Sequence, residues 1–398
     1  MMLYDESQEK KLIAFNYLID AIRTIPEEEY RHSFITIFSN SLEYNNMMTP
    51  YNYPHRKLHH LFNYHALPLT TIPVENSVWG FSEEGAGTFV NCYKRYLRAK
   101  EYCIHPFDKF KTASGVIRTI HSKGERISAN FVESFDELKR TPRASFLINK
   151  DSSELSEIPD KAIDFVITDP PYFDNIHYSE LSNFFYVWLN CILENKYFKV
   201  ESVPTQNEVI VNEGMNKSHN IYQSLLTSIF KECHRVLRDD GNLIFTFHHT
   251  KWHAWWAILS AAADGGFVII DDFPVMSEYK VNPHLRKKQG LDMDMVPVCR
   301  KKSSMPKGQS TLLDSILGKT IDRLPANSRS RTRNRLFLYF MGEVIKSASS
   351  SSQQKDITYE WFSKTLSHFD EIAKDIVSQT KDEITKGSDT MQLKISDY

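Results

Sequence analysis

The chain reads as an α/β protein flanked by helical regions, and three observations carry that reading. From Ala144 to about residue 305, short β-branched and aromatic runs, SFLIN, IDFVIT, NLIFTF, FVII and MVPVC, alternate with longer segments of helical spacing. Before about residue 140, Lys10 to Ile25 and Thr88 to Lys100 place apolar residues three and four apart, as amphipathic helices do. Beyond about residue 306, Thr311 to Leu324, Arg335 to Lys346 and Thr358 to Ile376 return to that spacing. The predicted organisation is therefore a mainly helical region over 1–140, an α/β domain over 141–305 and a helical region over 306–398.

Composition narrows the class further. The 398 residues are 41% hydrophobic and 13% aromatic, enough to bury substantial cores. A formal charge of −2 argues against a uniformly basic coat, so any contact with phosphates falls to local clusters or to a partner. No apolar run approaches the roughly 20 residues that cross a bilayer, and the polar start MMLYDESQEKK lacks a signal peptide's apolar core, so a cytoplasmic protein without membrane contact is expected. Cys92, Cys103, Cys191, Cys233 and Cys299 lack paired metal-ligand spacing, and reduced thiols without a metal site are expected. The run Ser347 to Ser352 reads as a linker.

Ile163 to Thr168 is a nearly continuous apolar run of strand length, as expected of a central parallel strand covered on both faces. The tetrad DPPY, Asp169 to Tyr172, begins at its carboxyl end, where open α/β sheets bind their ligands. Pro170 and Pro171 have no N–H and a fixed φ, so their carbonyls can face outward as acceptors. An exocyclic amino group needs two acceptors for its hydrogens and an aromatic face for its planar base. Asp169 and the Pro170 carbonyl supply the first, and Tyr172 supplies the second for a base turned out of its duplex. Alone, the tetrapeptide is most simply a turn. Its position after a buried-type strand and before the aromatic helical stretch Tyr178 to Leu189 points to chemistry instead.

The stretch DPPYFDNIHYSELSNFFYVWL resembles the DPPY-type amino-group DNA methyltransferases, most closely the large adenine-specific DNA methylases associated with anti-phage loci. The likeness continues through HRVLRDDGNLIFTFHHTKWHAWWAILSAAADGGFVIIDDFPVMSE and MVPVCRKK, and covers roughly Ala144 to Lys302. It implies a Rossmann-like methyltransferase fold, S-adenosylmethionine as methyl donor and N6 of adenine in DNA as target, in a restriction-modification or defence setting. Within that fold, Ser145 to Asn149 would be the strand before the catalytic one, with Asp151 past its end against the donor's adenine or simply capping a turn. Asn242 to Phe247 would follow a helix ending near Leu237 and the turn RDDG, and Phe267 to Ile270 with Val296 to Cys299 would form a final antiparallel pair. Tyr172, Phe173, His248 and His249 are the candidate base pocket, the histidines having a structural alternative.

A self-sufficient enzyme of this kind needs a glycine turn after its first strand, because only glycine lets the backbone approach the donor closely. The family form resembles D-P-F-x-G-x-G, and this chain has no clean copy. Gly85 and Gly87, in VWGFSEEGAGTF, are the nearest match, and that segment resembles the family's insert rather than its cofactor loop. Either a separate polypeptide supplies the glycine half and completes the fold, or the loop and the activity are lost; the intact DPPY favours a heteromer. Among basic clusters, Arg286 to Lys288, Arg300 to Lys302 and especially Arg329, Arg331, Arg333 and Arg335 are candidate phosphate contacts or solvated faces. His55 to His65 reads as a partly buried loop, and Leu193 to His219 as a lid over the target base or a partner contact. The competing reading is a non-catalytic nucleic-acid-binding or scaffolding subunit of a defence complex, or a methyltransferase acting on RNA or on cytosine N4.

Overall fold

The computed structural model describes residues 6–53, 56–62, 74–81, 85–112, 115–193, 202–276, 293–302, 313–323 and 333–350, with five further positions between 360 and 369. It divides into two compact units that do not follow the three predicted blocks: residues 1–148 with 177–208, and residues 149–176 with 209–398.

In the first unit, α1 (Glu6–Arg23) and α2 (Glu28–Leu42) carry Phe15, Leu18, Ile19 and Ile22 against Ile35, Phe38 and Leu42, the spacing that turns one helical face inward. A short ladder pairs β1 (Tyr51–Asn52) with β2 (Lys57–Leu58), the latter inside the histidine-rich stretch. Leu61 there is fully buried, while His55 and residues 63–65 lie outside the described residues. Helix α3 (Phe89–Ile104) packs on α2 through Phe89 and Cys92. The hairpin of β3 (Phe107–Lys111) and β4 (Ile117–His121) comes after it. Next, β5 (Asn130–Val132) and β6 (Ala144–Phe146) pair in parallel across the crossover helix α4 (Phe135–Arg140), whose first turn is capped by Ser134. Last comes α5 (Tyr178–Ile192), which lays Phe184, Phe185, Trp188 and Leu189 on the core of α1 and α2.

The second unit has the predicted α/β character. Its mixed sheet runs β7 (Ile163–Thr168), β8 (Leu237–Phe245), β10 (Met293–Lys301) and β9 (Phe267–Met276), parallel between β7 and β8 and antiparallel thereafter. Between β7 and β8, α6 (His219–Val236) buries Tyr222, Leu226, Phe230 and Cys233, one residue per turn. Helix α7 (Trp252–Asp264) adds Trp255, Ile258, Ala261 and Ala262 to the same core. The C-terminal helices α8 (Leu313–Arg323) and α9 (Arg333–Ser350) belong here too. Leu336, Phe340, Met341, Val344 and Ile345 of α9 are buried in the sheet's own core. Asp272 of β9 has no exposed side-chain surface and takes the Arg323 fork at 2.8 and 2.9 Å and the Lys346 ammonium at 2.8 Å. Gly342 of α9 makes that approach possible, since a Cβ there would fall 2.3 Å from the Asp272 carboxylate.

Three expectations change. β7 is not a central strand covered on both faces: among the described residues it pairs with β8 alone, and Phe165 and Ile167 are 57% and 76% exposed. The run SFLIN does not enter this sheet either; β6 pairs with β5, because its partner was a non-local matter that no local pattern encodes. Nor is RDDG a plain turn, since β8 runs through it with a register irregularity. The antiparallel final pair and the helix ending before Leu237 are as predicted. No described helix is long and apolar enough to cross a membrane.

Candidate active site

Strand β7 delivers Asp169 at its carboxyl end with its side chain exposed. The hydroxyl of Thr246, just past β8, donates to the Asp169 carboxylate, and the Thr246 N–H donates to the Thr168 carbonyl at 3.2 Å. Asp169 is thus held by the neighbouring strand while its remaining acceptor capacity faces outward. The two prolines divide their work. The Pro171 carbonyl faces inward and accepts from the Tyr222 hydroxyl at 2.9 Å and the Phe173 N–H at 3.0 Å, contrary to the expectation of an outward acceptor. No described donor reaches the Pro170 carbonyl, and Pro170 itself is buried.

Tyr172 packs edge-on against Phe247 and His248, with centroids 5.4 and 4.8 Å away. Its hydroxyl donates to Asp294 at 3.4 Å and also lies within hydrogen-bond reach of Thr246 and Asp169. Burial pushes that phenol's pKa well up, with hydrogen bonding to Thr246 opposing and the Asp294 charge adding to the rise, so the ring stays neutral. Asp294 also takes Nδ1 of His248 in a short contact. One carboxylate from β10 therefore fixes both Tyr172 and His248.

Phe173 is not a pocket residue. It is 5% exposed, its backbone sits at φ +59°, and its ring meets Tyr222 and His249 at 5.2 and 5.6 Å. A bulky residue in the left-handed region costs about 1–3 kcal/mol, strain of the sort that collects where a loop must be aimed. The Val211 N–H holds the Phe173 carbonyl at 2.9 Å, and Val209, Ile210 and Val211 are buried; this end of the Leu193–His219 insert is core rather than lid, and 194–201 lie outside the described residues. His249 is likewise structural, 3% exposed, with Nε2 on Asp174 at 2.9 Å and its carbonyl accepting from Trp255. Burial would raise the Asp174 pKa, but its bonds with Lys251 and His249 outweigh this and lower it.

Of the remaining candidates, Asp151 accepts from the N–H and hydroxyl of Ser153 at 2.8 and 2.7 Å, the geometry of a local turn. Arg329 and Arg331 lie outside the described residues, as do Arg286 to Lys288; Arg333 opens α9 and Arg335 is half-buried on it. Lys301 is no phosphate contact, being 2% exposed with its ammonium on the Leu237 carbonyl at 2.6 Å. Gly85 and Gly87 do adopt positive φ, +96° and +70°, but they lead into α3, and no described strand lies between β2 and that helix. Among the described residues no group of three His, Cys, Asp or Glu is placed to hold a metal ion. Sequence reasoning missed Thr246, Asp294 and Tyr222, which hold the loop in place. An acid inside the apolar run LDMDMVPV was the one available signal, since such residues are rarely buried without a partner.

A family model for DNA methylases of the N6/N4 type matches residues 163–387, more than half of the chain, and includes β7, the DPPY loop and the whole four-stranded sheet. No curated protein matches. Among solved structures, a Thermus thermophilus protein provisionally described as a DNA modification methylase is 15% identical, covering 48% of this chain and 72% of its own at a TM-score of 0.23. The same protein complexed with S-adenosyl-L-methionine gives 15%, 46%, 60% and 0.22. PvuII DNA methyltransferase, cytosine-N4-specific, is 13% identical, covering 55% of this chain and 90% of its own at 0.24. On the extent of the family match, this chain belongs to the N6/N4 DNA methylase family.

Proposed function

We propose that the chain is the amine-binding subunit of a DNA methyltransferase that uses S-adenosylmethionine to methylate N6 of an adenine turned out of the duplex. A partner polypeptide supplies the glycine-rich half of the donor site. The observation that carries this reading is the DPPY loop at the carboxyl end of a parallel strand, with the exposed Asp169 carboxylate held by Thr246 beside the Tyr172 ring, whose hydroxyl is tied to Asp294. Adenine, a cytoplasmic location and a restriction or defence role are supported by the resemblance of DPPYFDNIHYSELSNFFYVWL to the adenine-specific enzymes. The partner is supported by the lack, in the sequence, of a D-P-F-x-G-x-G turn; its one Gly-x-Gly, Gly85 with Gly87, leads into α3.

When bound, S-adenosylmethionine supplies an electrophilic methyl group. The residues of this chain position the nucleophile. Asp169 and the Pro170 carbonyl accept the two amine hydrogens, which turns the nitrogen lone pair out of conjugation and along the line of attack. Tyr172 offers its face to the base, held by Asp294 and backed by Phe247 and His248. An amine that accepts that methyl group would carry a positive charge and a surplus proton beside Asp169. Asp169 then takes the surplus proton and passes it to water, which its exposure permits.

The test is to incubate the chain with methyl-labelled donor and unmodified duplex DNA, alone and with the product of the neighbouring gene, and to digest the DNA to nucleosides. N6-methyladenine is expected only when both polypeptides are present. N4-methylcytosine in its place would reassign the base, and methylation by the chain alone would remove the partner from the account.

A further inference from the structure

β7 carries the reactive loop, yet among the described residues it is the terminal strand of its sheet. Parallel sheets normally have both faces covered, and an exposed edge is a template for pairing that proteins blunt or cover. The direction of its unpaired groups can be read from the ladder. The Thr168 carbonyl accepts from the Thr246 N–H, which places Thr168, and by alternation Val166, in the hydrogen bonding with β8. Phe165 and Ile167 then turn their N–H and C=O groups toward the open side. Their side chains share one face and are 57% and 76% exposed, while Val166 on the opposite face packs into the core. An open polar edge, two large exposed apolar side chains and a reactive loop at the end of the same strand belong together.

One kind of occupant satisfies all three. An extended segment pairs with the peptide groups of Phe165 and Ile167, and the structure that succeeds it in the same polypeptide covers their side chains. The segment runs parallel to β7, because only then does the turn after it open beside Asp169, where the donor must lie. That turn must be rich in glycine to let the backbone approach the donor. The only Gly-x-Gly in the 398 residues is Gly85 with Gly87, which leads into α3, with no described strand between β2 and that helix. A second copy of this chain has the same sequence and brings nothing better.

We propose that the open edge of β7 is the docking surface for a strand from a polypeptide outside this sequence, added in parallel and ending in the glycine turn that completes the donor site beside Asp169. The proposal rests on the reading of a divided methyltransferase and says where the division runs.

Residue-resolved hydrogen exchange on the full chain tests it, with the purified product of the neighbouring gene as the probe. In the chain alone, the amides of Phe165 and Ile167 should exchange at least ~100-fold faster than those of Val166 and Thr168, and the probe should slow them by a similar factor. Ile167→Lys, and separately Phe165→Lys, should weaken the complex at least ~10-fold, about the worth of one buried apolar side chain. Neither should lower the unfolding midpoint of the lone chain, because both side chains are exposed. Protection of both amides in the lone chain overturns the proposal. So does a probe that restores methylation while leaving them fast, an outcome in which the divided enzyme survives and only the docking edge is wrong. Methylation by the lone chain refutes the divided enzyme whatever the exchange pattern, and a probe that neither binds nor restores methylation counts against both.

Discussion

The buried charge cluster that ties the C-terminal helices to the sheet can be broken by one substitution, Asp272→Ala. The Asp272 carboxylate is wholly buried and receives Arg323 through both oxygens and Lys346 through one. Removing one partner of a buried ion pair costs about 3–5 kcal/mol, because the other is left uncompensated. Here Glu343 remains, 2.7 Å from both Arg323 and Lys346, so the loss belongs at the lower end, about 3 kcal/mol. At about 2–4 °C per kcal/mol for a unit of this size, the midpoint should fall by about 6–12 °C. The assay is thermal and urea unfolding of the full chain, then limited proteolysis to see which segments are released. Unfolding of the sheet and of α8 and α9 in one transition is expected. A change under about 0.5 kcal/mol, or release of the helices with the sheet still folded, would refute the argument that the C-terminal helices are part of the catalytic unit.

Other consequences are as direct. Gly342→Ala places a methyl group against the Asp272 carboxylate, 2.3 Å away, and should destabilise the fold by about 1–3 kcal/mol in the same unfolding assay; a neutral result would mean the helix is free to shift. Asp294→Asn keeps the shape but loosens the hold on Tyr172 and His248, so methyl transfer in the assembled enzyme should slow about tenfold with unfolding unchanged. An unaltered rate would show that Asp294 positions neither ring. Burial lowers the His249 pKa below its ordinary 6.5, against the pull of Asp174 and with help from Lys251 and His248. The unfolded chain therefore binds that proton more readily, and stability should be full above about pH 6.5 and decline as the pH falls. His253 and His234 are lowered by burial too and act in the same direction. His249→Gln should make the decline shallower, as read by urea unfolding across about pH 5 to 7, and an unchanged slope would contradict the assignment.

What the sequence disclosed was local. IDFVIT, NLIFTF, FVII and MVPVC are strands, and Tyr178 to Leu189 is helical, because side-chain periodicity and branching act over a few residues. DPPY was legible for the same reason. Pairing was not: that SFLIN joins β5 and that β7 lies at the edge of the described sheet depend on segments far apart in the chain. Phe173 looked like a pocket aromatic because nothing in its letters announces a positive φ that turns the ring into the core. Asp294 was hidden for another reason, since it reaches Tyr172 across 122 residues through the register of β10. The C-terminal helices read as a separate region because their periodicity was visible while Asp272, which binds them to β9, appeared only as one acid in a strand.

The central claim is that Asp169 holds the target amine. Its most direct measurement is the yield of methylated nucleoside from DNA treated with the assembled enzyme carrying Asp169→Ala, beside the wild type at equal occupancy and equal unfolding midpoint. The account predicts a loss of at least ~100-fold, the scale of removing one positioned polar group from a transition state. Full yield from the variant would contradict it.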